Sequence, residues 1–149
     1  MQFLEQEILE ITETTWQSLL GFELQIRQTS SVPQFTQRSF VGSVGISGSW
    51  NGLVMLEGSE MLTKLAAGAI FGKNPDTVSQ DDQHHTIYEL TNIIAGNIKS
   101  LLPRPCQLSL PVVQSCVTKS HPPSGLARVS ALRFTCQDQP MAVTVWQVS

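Results

Sequence analysis

A helical pattern running from Ser79 to Leu101 constrains this chain's fold more than any other feature. At about 100° of rotation per residue, Ile87, Leu90, Ile94, Ile98 and Leu101 fall within a sector roughly 80° wide. A stripe that apolar must lie against the rest of the protein. Ser79 is placed to cap the helix, with Asp81 and Asp82 in the first turn, where the helix dipole favours acids. Pro103 and Pro105 then stop it. About 180° from the stripe, by the same rotation, stand Glu89, Asn92 and Gly96. Glu89 and Asn92 are i, i+3 neighbours, and Gly96 sits one turn beyond Asn92. A glycine inside a helix costs about 1 kcal/mol relative to alanine. On an outward face it recovers none of that from packing its own domain, so it leaves room for something else. Spacing alone leaves two readings open: a docking face that carries chemistry, or a solvated face of ordinary residues.

The rest of the chain says what that stripe can pack on. Residues 2–20 repeat apolar positions at three and four, Phe3, Leu4, Ile8, Ile11 and Leu19 among them, which predicts a helix stopped at Gly21. A short strand is expected over 23–28 and a Ser/Pro loop over 29–34. A hairpin follows, with strands at 39–46 and 53–57 and a turn at 47–52. Ser59 can cap a second helix that ends near Gly72. Residues 73–78 are polar loop. Strands are expected near 112–118, 126–135 and 141–147, parted by polar turns at 120–125 and 136–140. Helix, strands, two helices, strands is the order of an α+β domain: a mostly antiparallel sheet with the helices on one face. The 149 residues suit a single domain spanning 1–149.

A formal charge of -3 with scattered basic residues gives no electrostatic footprint for nucleic acid or an anionic membrane. No apolar run approaches the roughly 20 residues of a membrane span. The first residues, Met-Gln-Phe-Leu-Glu, do not read as a secretory signal, so a cytoplasmic setting is expected. Cys106, Cys116 and Cys136 form no C-x-x-C spacing and read as buried, reduced thiols. The adjacent His84 and His85 point about 100° apart on a helix and read as solvated rather than metal-binding; His121, in a Pro-rich turn, reads the same way. Trp16, Trp50 and Trp146 read as core or interface. Ser43, Ser47 and Ser49 lie in a Gly/Ser hairpin that lacks the phosphate-loop pattern, and no nucleophile elbow occurs.

The run Glu-Leu-Thr-Asn-Ile-Ile-Ala-Gly-Asn at 89–97 resembles the signature of the CheX/CheC/FliY chemotaxis phosphatases. That family carries a glutamate and an asparagine in E-x-x-N spacing on a helix, commonly followed by a small residue, glycine and asparagine. Glu89, Asn92, Gly96 and Asn97 fill those places. CheC-like members carry a second copy near the first helix of the other half. Here Glu10 and Glu13 have no asparagine beside them, so the arrangement is similar to the single-motif CheX type.

The resemblance implies a phosphoaspartyl-protein phosphatase acting on a CheY-like response-regulator receiver domain. It also implies a homodimer, Mg²⁺ held by the receiver, and no cofactor or metal of this chain's own. Asn92 would hold the hydrolytic water: a carboxamide oxygen accepts from water while its NH₂ donates to a phosphoryl oxygen. Such chemistry rests on positioning and charge stabilisation. Glu89 would pair with the receiver's lysine and fix the register of docking. Gly96 would admit the partner's surface, with Tyr88 and Ile93 as rim contacts. Asn97, about 80° away by the same rotation, is expected to hydrogen-bond a nearby loop or sheet edge. The alternatives are a non-catalytic CheX-like adaptor that binds a receiver without hydrolysing it, and a component of the flagellar-switch type.

Overall fold

The computed structural model describes residues 2–27, 35, 38–116 and 123–148, with side chains from Glu5 onward. In chain order the elements are α1 (Gln2–Leu20), β1 (Gln25–Ile26), β2 (Ser39–Gly48), β3 (Gly52–Ser59), α2 (Glu60–Phe71), α3 (Gln80–Lys99), β4 (Cys106–Leu108), β5 (Val112–Cys116), β6 (Leu126–Cys136) and β7 (Gln139–Val148). The expected loop at 29–34, the end of the strand near Thr118 and His121 lie outside the described residues.

The strands form one sheet in the order β1-β6-β7-β3-β2-β4, with β5 also on β2, and every pairing is antiparallel. Side chains alternate between sheet faces, so the register shows which residues meet the helices. Gly42 lies opposite Leu56, which lies opposite Val143, which lies opposite Leu132. All four share one face. A Cβ on Gly42 would run into the Thr91 hydroxyl of α3, and one on Gly58 would run into Leu62 of α2. Cys136, on the same face of β6, lies beside Trp16 of α1. All three helices therefore cover a single face, and the fold is the α+β arrangement anticipated. Ile8, Trp16, Phe40, Leu56, Leu62, Leu90, Ile94 and Phe134 are fully buried in the resulting core. At about 25 cal/mol per Å² of apolar surface, each such side chain contributes roughly 1.5–3 kcal/mol.

α3 is held at several points along its length. The Ser79 hydroxyl accepts from the Asp82 N–H at 3.0 Å while the Asp82 carboxylate accepts from the Ser79 N–H at 3.1 Å, a complete capping box. The same carboxylate meets Lys73 Nζ at 2.9 Å. Gln83 Nε2 donates to Thr63 Oγ1 at 2.7 Å and to the Glu60 carbonyl at 3.2 Å, tying α3 to α2. Gly42 lets the middle of the helix sit down on β2, with Thr91 turning its hydroxyl onto the Ile87 carbonyl at 2.6 Å. The helix is a fixed platform.

Some expectations need correction. The first strand shrinks to two residues, Gln25 and Ile26, because it pairs only with the end of β6. The hairpin is longer than expected, since β2 and β3 stay paired from Ser39–Ser59 to Ile46–Gly52. A strand was missed at Cys106–Leu108, where the chain after the prolines pairs with the end of β2. The loop after α2 holds a short 3-10 turn at Pro75–Thr77. Trp16, Trp50 and Trp146 are all buried. Cys106 and Cys136 are buried free thiols, whereas Cys116, the last residue of β5, is only half-buried.

Candidate active site

The outward face of α3 follows from what its other side must bury. Gln83, Thr86, Ile87, Leu90, Thr91, Ile94, Ala95 and Ile98 are buried, a band about 180° wide by the rotation of a helix. The centre of the remaining surface is occupied by Glu89, Asn92 and Gly96. Asn92 is exposed, while Glu89 and Gly96 are half-buried. Glu89 and Asn92 project about 60° apart and one turn along, so their head groups are neighbours. Among the described residues neither side chain has a hydrogen-bond or ion-pair partner. An acid and an amide stand together, uncommitted, on a rigid helix.

Gly96 opens the same face. A Cβ built there meets nothing within 4 Å, so the protein itself gains nothing from the missing side chain. Tyr88 and Ile93 stand half-buried on either side of the stripe. Toward the N-terminus of α3, Asp81, His84, His85, Tyr88 and Glu89 line a hollow of about 410 Å³. Toward the C-terminus a hollow of about 460 Å³ runs from Gly96 past Lys99, Ser100 and Arg104.

One residue gains a contact the sequence did not show, and another sits differently from its reading. His85, read as solvated, is exposed but rests its ring against Phe71 at the end of α2, centroids 5.7 Å apart. It lies one turn before Glu89 on the same stripe, an i, i+4 relation legible in the sequence. Asn97, expected to bond a loop or sheet edge, is exposed beside a hollow shared with Glu7, Glu10 and Thr14. Its side of α3 faces α1, not the sheet. Among the described residues no three His, Cys, Asp or Glu side chains gather as a metal site, and no helix is long and apolar enough to cross a membrane.

A sequence profile described as "Chemotaxis phosphatase CheX" matches residues 40–126, more than half of the chain and the whole of α3. The chain belongs to the CheX family of chemotaxis phosphatases. No curated protein matches it in sequence. The fold agrees with the family. A chemotaxis protein CheX from Desulfovibrio desulfuricans superposes with a TM-score of 0.77 at 18% identity, covering 96% of this chain and 97% of that one. The CheX-CheY-BeF3-Mg²⁺ complex from Borrelia burgdorferi contains a chain matching at 0.74 and 15% identity, with 97% of each covered. FliY from Thermotoga maritima matches at 0.70 and 16% identity, over 97% of this chain and 86% of that one. Within this CheX fold, the E-x-x-N motif is carried on the outer face of α3.

Proposed function

We propose that this CheX-family protein hydrolyses the phosphoaspartate of a CheY-like receiver domain, with α3 as the face that docks. The observation that carries the reading is the pairing of an exposed Asn92 with an unengaged Glu89 beside an open Gly96, all on a helix fixed at its N-terminal end and its middle. Hydrolysis needs a water in line with the leaving carboxylate oxygen. Phosphoryl transfer of this kind asks a protein mainly for positioning. Asn92 supplies it from outside: its oxygen accepts from the water, and its NH₂ donates to a phosphoryl oxygen. A carboxylate at that position would be repelled by the phosphoryl charge. Glu89 pairs with a cationic side chain of the receiver and sets the register. Gly96 admits the partner's surface, and Tyr88 and Ile93 form the rim. Mg²⁺ belongs to the receiver in this scheme, in keeping with a complex of this fold that contains CheY, BeF3 and Mg²⁺. A homodimer and a cytoplasmic setting complete the proposal.

Mixing the purified protein with phosphorylated receiver domains tests it. Accelerated loss of phosphate from one of them supports the phosphatase. A stable complex in which the phosphate persists identifies an adaptor instead.

A further inference from the structure

We infer that the docking face is two-ended, and that the hollow beside Gly96 receives an acidic side chain of the partner. The inference rests on the α3 docking reading and adds the chemistry of the partner's second contact. The hollow is continuous with the site through Gly96; Pro103, Pro105, Cys106 and Leu108 give it an apolar lining, and Lys99, Ser100 and Arg104 are its polar members. Lys99 follows Asn92 by seven residues. It therefore stands on the same stripe, about 10.5 Å further along the axis. Arg104 comes from the segment after the helix, and that segment is pinned. The Ser49 N–H donates to the Pro105 carbonyl at 2.9 Å, and the Cys106 thiol donates to the Pro103 carbonyl at 3.1 Å. Arg104 is thus presented from fixed backbone at the edge of the hollow.

Neither cation is neutralised by this chain: among the described residues no carboxylate pairs with Lys99 or Arg104, whereas Arg38, Lys64 and Lys73 all have acidic partners. A lysine in the last helical turn also favours the helix dipole, but Arg104 lies outside the helix and gains nothing from it. The other end of the face has the opposite sign, with Asp81 and Glu89 lining its hollow. A face that is acidic at one end and cationic at the other, on a chain of net charge -3, selects both the partner and its orientation. The partner must bring a cation to Glu89 and an anion to Lys99 and Arg104. Such contacts act on encounter and register more than on the chemical step.

The test uses a panel of purified receiver domains phosphorylated with acetyl phosphate, with turnover measured at about 20 mM and about 500 mM salt. For a receiver that the wild type dephosphorylates, Lys99→Gln/Arg104→Gln should raise KM about fivefold or more at low salt while kcat stays within about twofold. The gap should close at high salt, where the Debye length falls to a few ångströms. Arg104→Lys in the Lys99 background should restore most of the loss. An unchanged KM at low salt, or a fall in kcat with KM held, overturns the inference. Asn92→Ala in the same assay reads the underlying site separately: if it leaves kcat unchanged, the catalytic reading of α3 has failed, whatever the two cations do to KM. If the wild type turns over none of the receivers, titrating the same pair of proteins for binding gives the same comparison. Absence of binding to every receiver refutes both.

Discussion

Gly96→Ala should change stability and function in opposite directions. The added Cβ meets nothing within 4 Å, and the backbone there is ordinary helix, so there is no steric cost within the chain. Alanine is favoured over glycine in a helix interior by about 1 kcal/mol. Part of that comes from a less flexible unfolded chain. For a chain of 149 residues, the unfolding entropy is roughly 0.3 kcal/mol per kelvin, so the melting temperature should rise by about 3 °C. Against a closely docked partner, the same methyl group is an overpacking of about 1–3 kcal/mol. That corresponds to roughly five- to 150-fold weaker docking, seen as a higher KM for phosphorylated receiver with little change in kcat. Thermal denaturation and steady-state phosphate release on the same preparation provide both readings. A variant that is stabilised and fully active would show that nothing approaches Gly96. A destabilised variant would show that its face is not open at all.

Other expectations concern the anchoring of α3, its outward face and the core beneath it. Gly42→Ala drives a methyl group into the Thr91 hydroxyl and should cost about 1–3 kcal/mol, and combining it with Thr91→Ala should recover part of the melting temperature. Glu89→Ala should weaken receiver binding as well as lower the rate, which titration of the phosphorylated receiver would show; unaltered affinity would remove the docking role. Lys73, followed by the Ser79 N–H, holds the Asp82 carboxyl below its ordinary value of 3.8. The folded group is the stronger acid, so its stabilisation is fully present above the unfolded value and lost as pH falls through the folded one. Asp82→Asn should therefore lower the urea midpoint at pH 7, and the gap should narrow as pH falls below 3.8; a gap that does not narrow in acid would refute the ion pair. Burial pushes the Cys136 thiol up, so a thiol reagent at pH 8 should label it only on unfolding, and rapid labelling of native protein would contradict its placement.

What could be read ahead of the coordinates was what is encoded locally. Ser59, Gly72 and Ser79 mark helix ends through bonds to residues three or four positions away, and all three ends fall where the residues place them. The stripe from Ile87 to Ile98 dictates which side of α3 is outward, so the neighbouring positions of Glu89, Asn92 and Gly96 were legible too. β4 was not, because a three-residue strand has no periodicity of its own and exists only through pairing with Ile46–Gly48. β1 was legible as a strand but not in its length, because only Gln25 and Ile26 find partners on β6. The place of Arg104 beside Gly96 depends on a bond between the hairpin turn at Ser49 and Pro105, more than fifty residues apart in sequence, and no local pattern announces it. His85 was within reach, one turn from Glu89, but its contact with Phe71 depends on how α2 and α3 meet.

The most direct test of the account is the rate at which phosphate leaves a phosphorylated receiver in the presence of wild-type protein and of Asn92→Ala, with affinity for the receiver measured alongside. The Asn92 side chain is exposed and has no hydrogen-bond partner among the described residues, so the substitution leaves the fold untouched. Asn92→Ala should lose roughly 100-fold in kcat, with binding within about twofold of wild type. Equal turnover by the two proteins would contradict it.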